Sequence, residues 1–249
     1  MVSIQSNGEI KLMREAGRVV AGCHEALQNL IRPGIATWEI DRFVESFIGK
    51  YGMEPAQKGY NGYPFASCTS VNDEICHGFP GGYRLRDGDI VKVDMVVLHK
   101  GMHADSAWCY AVGQISEEAT HLLAVTKQAL FLGIEQSVVD HRISDIGHAI
   151  QTYVESEGFA VVRDFTGHGI GRAMHETPPE ILHYGAPGHG MRIKKGMTFT
   201  IEPMVNAGTY QSRVDDNGWT ARTADGSLSA QYEHTVAITD NGPEILTAL

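Results

Sequence analysis

Long apolar runs are missing from this chain. Nothing in it approaches the roughly 20 residues of a membrane-spanning helix, and its first segment, MVSIQSNGEIKLMREAG, mixes acidic and polar residues where a secretory leader needs an unbroken apolar stretch. The expectation is a cytoplasmic protein with no membrane partner. Cysteine is scarce as well: Cys23, Cys68, Cys76 and Cys109 are the only four in 249 residues and show no CxxC spacing, which excludes a zinc finger and fits reduced thiols. Low-complexity tracts, long like-charge blocks and Pro- or Ser-rich seams are absent, so no linker divides the chain. Positive charge is in deficit, 20 Lys and Arg against 30 Asp and Glu, and the net −10 argues against DNA and favours small molecules or peptides. Two familiar motifs also fail. The glycines around His168 alternate as Gly167, Gly169 and Gly171 instead of forming GxGxxG, and Pro178 and Pro179 forbid the helix that a zinc-protease HExxH would need after His175 and Glu176.

With 43% apolar residues the chain can bury a substantial core, and its periodicity places four helices. Ile10, Met13, Val20, Cys23, Leu27 and Leu30 mark the first, behind a capping box of Ser6 and Glu9 and ahead of Pro33 and Gly34. The second is expected over about 37–51, with Ile40, Val44, Phe47 and Ile48 on one face and Gly52 after it; the others over about 116–136 and 144–157, with Gly158 as terminator. A shift of 106 lays Ile40, Val44, Phe47, Ile48 and Gly52 on Ile146, Ile150, Tyr153, Val154 and Gly158. A shift of 108 lays GDIVKVDMVV on GMTFTIEPMV and Asp94 on Glu202. The chain therefore reads as one catalytic domain, 1–249, containing two related halves of roughly 1–113 and 114–249.

The stretch GDIVKVDMVVLHKGMHADSAWCYAVG reads as two strands, Ile90 to Leu98 and Met102 to Val112, folded about His99 and Lys100, which would set Asp94 directly opposite Asp105. Like charges so placed repel and raise each other's pKa, and a divalent cation between them reverses the sign. Glu202 in MTFTIEPMV and Glu233 in LSAQYEHTVAI lie in apolar strands where an unpaired carboxylate is costly; a salt bridge or loop hydrogen bond is the alternative for either alone. His168 stands between Gly167 and Gly169, whose missing side chains let an imidazole reach a crowded centre, and His77 lies in a loop closed by Gly and Pro. Together these residues point to a metalloenzyme.

The segments NDEICHGFP, VDMVV, HADSAW, FTGHGIGRAMHETPP, FTIEPMV and SAQYEHTV resemble the successive motifs of the type I methionine aminopeptidases, and with the N-terminal helices the similarity spans essentially the whole chain. The resemblance implies an α+β pita-bread (creatinase/aminopeptidase-like) fold, two pseudo-symmetric halves around a central curved antiparallel sheet with helices outside. It implies two divalent metal ions, drawn from Co, Mn, Fe or Zn: Asp105 and Glu233 bridge them, Asp94 chelates one, and His168 with Glu202 completes the other. Four carboxylates then balance two dications.

By the same resemblance the reaction is removal of the N-terminal methionine from peptides and nascent chains with small second residues, through a metal-bridging hydroxide. Glu202 shuttles the proton, His175 stabilises the oxyanion, and His77 contacts the scissile nitrogen. Tyr60, Tyr63, Cys68, Met174, His77 and Trp219 enclose the methionine side chain. Members often carry an aromatic residue at the Met174 position and some a cysteine at Gln57, which leaves pocket depth open. A monomer, with room for transient ribosome association, is expected. Prolidase and aminopeptidase P carry a large additional N-terminal domain, and type II enzymes a long insertion between glutamates that in this chain are 31 positions apart. A silent binding module of the same fold would be expected to have lost one of the five ligands or His175, and all are present.

Overall fold

The computed structural model describes residues 2–249. Helix α1, Asn7–Leu30, starts at the expected capping box: the Ser6 amide donates to Glu9 Oε2 at 2.8 Å, and the Glu9 amide to Ser6 Oγ at 3.3 Å. It ends before Pro33, and its buried stripe contains Ile10, Met13, Val20, Cys23 and Leu27. Helices α2, Thr37–Lys50, α3, Glu117–Glu135, and α4, Ile143–Ser156, follow within a residue of the expected ends. Gly52 and Gly158 take the positive φ that lets each chain turn off its helix, at 67° and 85°. No helix among the described residues is long and apolar enough to cross a membrane.

The starts of α2 and α4 match in detail. Ala36 N–H donates to Glu39 and Arg142 N–H to Asp145, both at 2.8 Å, and each of these residues forms an isolated bridge, Ala36 to Arg84 and Arg142 to Arg192. Arg84 then donates to Gly34 O and Arg192 to Asp140 O. These equivalences fall at the same two offsets, 106 and 108, that align the sequence with itself.

The paired strands are antiparallel throughout, in hydrogen-bonded sets of five, four, three and three. Helices α1 and α2 cover one side, packing Val20, Leu27, Val44 and Ile48 with Val93, Met95 and Val97. Helices α3 and α4 cover another, packing Leu122, Leu130 and Ile150 with Phe199, Ile201 and Val205. The strand sets lie between these layers. The α+β class and the helices-outside arrangement expected from the resemblance are both present.

The register of the main hairpin corrects one expectation. Strands Ile90–His99 and Met102–Ala111 close at His99 and Met102, with Lys100 and Gly101 as the turn, both at positive φ, 48° and 81°. A two-residue turn with both centres left-handed matches strand twist and takes glycine readily at its second position, which moves the turn one residue beyond His99–Lys100. Asp94 therefore faces Ala107 and Asp105 faces Val96. The slip is two in register, so the carboxylates keep a common face and stand diagonally.

A second correction concerns the glutamates. Neither Glu202 nor Glu233 lies within a continuous strand: Thr198–Ile201 and His234–Thr239 pair in the five-stranded set, whereas Met204–Asn206 and Ser229–Gln231 pair in a three-stranded one. The register is the same on both sides of the break, Ile201 opposite His234 and Met204 opposite Gln231, which sets Glu202 across from Glu233. Pro203, lacking an N–H, cannot extend the ladder. Both carboxylates thus sit where the chain passes from one sheet to the next.

Candidate metal centre and substrate cavity

The hairpin and the double break meet through backbone contacts. Glu233 N–H donates to Ala107 O at 2.8 Å, Ser106 Oγ donates to Glu233 O at 2.6 Å, and Thr235 Oγ1 accepts from Asp105 N–H at 2.9 Å. Strand Gly167–Gly169 lies beside Thr198–Ile201, where His168 N–H donates to Thr200 Oγ1 at 3.0 Å. Its glycines are required by close approach: a Cβ on Gly167 would lie 2.4 Å from Thr200 O, and one on Gly169 2.6 Å from Glu176 O.

These contacts bring the five sequence-predicted ligands to one cavity. Asp105, His168 and Glu233 form its tightest group, each offering a ligand atom within 4.8 Å of the others. His168 Nε2 lies 3.6 Å from Glu202 Oε1 and 3.9 Å from Asp105 Oδ2. Its Nδ1 lies 3.0 Å from Gly169 O, and an acceptor carbonyl requires Nδ1 to carry the proton, leaving Nε2 as a lone-pair donor toward the carboxylates. Asp94 stands outside the tightest group, held by Gln57 Nε2 at 3.0 Å.

Burial dominates the electrostatics. It raises Asp94 to about 6 and Glu202 to about 8, the latter helped by the Asp94 charge. Asp105 and Glu233 are pushed well above the carboxylate range by burial and then by their anionic neighbours. Burial, with the nearby His175, lowers His168 to about 3, which keeps its ring neutral. Oδ1 of Asp105 and Oε1 of Glu233 are buried with no hydrogen-bond partner among the described residues. Buried acceptors normally have partners, so orphaned carboxylate oxygens beside a free imidazole nitrogen fit divalent cations.

The cavity above this floor measures about 430 Å³. Tyr60, Tyr63, Cys68, Met174 and Trp219 line it, as do His77 and His175. The Trp219 ring lies 5.1 Å from that of Tyr63 and 6.2 Å from that of His77. The Tyr63 hydroxyl is satisfied by backbone, donating to Gly78 O at 3.0 Å. His175 Nδ1 lies 2.8 Å from the Tyr60 hydroxyl, and its ring is 4.1 Å from that of His168. His175 precedes the strand Glu176–Ile181, not a helix.

Several lining residues escaped the sequence reading. Phe165 meets the His77 ring edge-on at 5.6 Å, and Val96, Met204 and Thr166 also line the cavity. Thr200, behind the floor, donates to Glu202 Oε1 at 2.7 Å. Strand alternation could have found it, because residues two apart share a face.

The profile of the family described as metallopeptidase family M24 matches residues 11–240. The chain belongs to metallopeptidase family M24. Within the family its similarity runs with the methionine aminopeptidases. It is 51% identical to the methionine aminopeptidase of Clostridium perfringens, over all of both chains, and 49% identical to methionine aminopeptidase 1 of Bacillus subtilis, over 99% of this chain. The crystal structure of the Thermotoga maritima methionine aminopeptidase superposes with a TM-score of 0.98 at 43% identity, covering all of both chains. The prolidase of Pyrococcus furiosus, at 20% identity and a TM-score of 0.78 over 65% of its own length, shares the fold alone. The M24 pita-bread architecture and a metal-dependent peptidase chemistry therefore apply to this chain.

Proposed function

We propose that this chain hydrolyses the first peptide bond of substrates beginning with methionine, with preference for small second residues, and that it uses two divalent ions held by Asp94, Asp105, His168, Glu202 and Glu233. The observation that carries the reading is the carboxylate and imidazole floor of Asp105, His168 and Glu233 under a cavity walled by aromatic, thioether and thiol groups. Bound divalent ions supply Lewis acidity toward a peptide carbonyl and acidify water so that a nucleophile is available near neutral pH.

The chain's own residues do the rest. Glu202 Oε1 is fixed by Thr200, whereas Oε2 has only a long contact, 3.4 Å, from Gln231 Nε2. Oε2 is thus the oxygen that holds a proton and delivers it to the leaving amine. His175 Nδ1 pairs with the Tyr60 hydroxyl; with Tyr60 as the donor, Nε2 keeps its proton and offers it to the scissile carbonyl oxygen. His77, edge-on to Phe165 and Trp219, meets the scissile nitrogen.

Tyr63, Cys68, Met174 and Trp219 exclude water from the first side chain and suit a flexible, polarisable thioether. The matched starts of α2 and α4 support one catalytic domain of two related halves, about 1–113 and 114–249. The test is release of free methionine from Met-Ala-Ser by chelator-stripped protein reconstituted separately with Mn, Co, Fe or Zn. Absence of turnover with every ion overturns the reading.

A further inference from the structure

The wall that carries Trp219 is a small hairpin, strands Ser212–Val214 and Ala221–Thr223, and its outer strand is largely exposed. Its inner strand pairs with Glu74–Cys76, immediately before His77, through a register irregularity at Ala221 and Arg222. Ala221 packs with Ile75, Cys76, Val162 and Met204, whereas the ladder to the exposed outer strand is short and weak by itself. The tip is braced internally: Asn217 Oδ1 accepts the amides of Trp219 and Thr220, both at 2.9 Å. The side chain of Arg222 supplies the ion pairs between this braced unit and the strand before His77.

Each guanidinium nitrogen of Arg222 meets a different carboxylate. Nε donates to Asp215 Oδ2 at 2.6 Å, Nη1 to Asp73 Oδ1 at 2.9 Å, and Nη2 to Glu74 Oε1 at 2.6 Å. Asp215 belongs to the hairpin tip, and Asp73 and Glu74 to the turn and strand that lead to His77. Thr220 Oγ1 also reaches His77 O at 3.4 Å. Without Arg222 the three carboxylates would face one another, with only Arg213 left to pair with Asp215. A lysine could meet one of them at a time, because an ammonium lacks the planar fork.

We propose that Arg222 is a positioning residue: it clamps the Trp219 hairpin to the His77 strand and so sets the width of the pocket for the substrate's first side chain. The clamp stands on geometry alone; its effect on methionine selection rests on the proposed activity. Arg222 contacts no reacting atom, so its loss loosens binding and selectivity and spares the chemical step.

The test uses the full chain with 5-fluorotryptophan at its three tryptophans, the Trp219 resonance being assigned by its loss in Trp219→Phe. In Arg222→Met that resonance shifts or broadens while those of Trp38 and Trp108 hold. KM for Met-Ala-Ser rises about tenfold with kcat within about threefold, the preference for Met-Ala-Ser over Leu-Ala-Ser falls, and Arg222→Lys lies between. Asp215→Asn, which keeps the guanidinium, gives the same changes in smaller size and covers the case in which Arg222→Met does not fold. An unmoved Trp219 resonance with unchanged KM overturns the clamp, as does a parallel change at Trp108, which marks general loosening. A moved Trp219 resonance in a protein that never releases methionine supports the clamp and overturns the activity.

Discussion

Thr200 joins His168 to Glu202: its hydroxyl accepts from the His168 amide at 3.0 Å and donates to Glu202 Oε1 at 2.7 Å, and the two side chains approach to 3.6 Å between Nε2 and Oε1. One hydroxyl therefore orders two proposed ligands, His168 on its strand and Glu202 at the sheet break. Thr200→Val keeps the shape and removes both bonds. Metal affinity should fall by about tenfold or more, the usual cost of losing a group that orients a ligand. Titration calorimetry of Mn or Co into stripped protein reads it, and an unchanged Kd removes Thr200 from the site.

Without metal, the carboxylates make stability depend on pH in a direction opposite to most proteins. Asp94 and Glu202 are raised by burial to about 6 and about 8, so between their unfolded values and these the folded state binds more protons than the unfolded one. Their contribution is lost as pH rises. Burial depresses His24, His168 and His183 to about 3 and His77 and His234 to about 4, so those rings cost stability as pH falls below about 6.5. Above that value the rings are neutral in both states and Asp94 is largely ionised, so Glu202, with Asp105 and Glu233, carries the fall. Calorimetry on chelated protein should show Tm falling from pH 6.5 to 8.5, with added metal abolishing the fall; a steady rise in the chelated sample contradicts this assignment.

The parts of the fold that local chemistry dictates were legible. Ser6 and Glu9 announce α1, and Gly52 and Gly158 announce the ends of α2 and α4, because capping and left-handed turns are decided within a few residues. The common face of Asp94 and Asp105 followed from alternation, although the turn lay at Lys100–Gly101. The sheet change at Pro203 was harder to see, because MTFTIEPMV is apolar enough to pass for one strand. Arg222 was not readable at all: its partners Asp73 and Glu74 are nearly 150 residues away, and only the folded ladder places them together.

The glycine frame of His168 gives a stability prediction. A methyl group at Gly169 would stand 2.6 Å from Glu176 O and 2.8 Å from Pro179 Cδ, so Gly169→Ala must push Gly167–Gly169 away from Glu176–Ile181. Overpacking of this kind costs about 1–3 kcal/mol. The displaced strand carries His168, so metal affinity should fall along with Tm. A variant that melts with the parent and binds metal equally well would show that the strand has room to spare.

Glu202 and His77 separate chemistry from substrate contact. Glu202→Gln removes the proposed proton carrier and one anionic member of the proposed ligand set, so kcat should fall by a factor on the order of a thousand or more, and metal binding should weaken with it. His77 lines the cavity and lies outside the Asp105, His168 and Glu233 group. His77→Ala should therefore keep its full metal content and lose activity by a smaller factor, on the order of ten to a hundred. Metal analysis beside steady-state kinetics distinguishes the two. Near-normal kcat in metal-loaded Glu202→Gln would mean that water or another side chain moves the proton, and Glu202 Oε2 would not be its carrier.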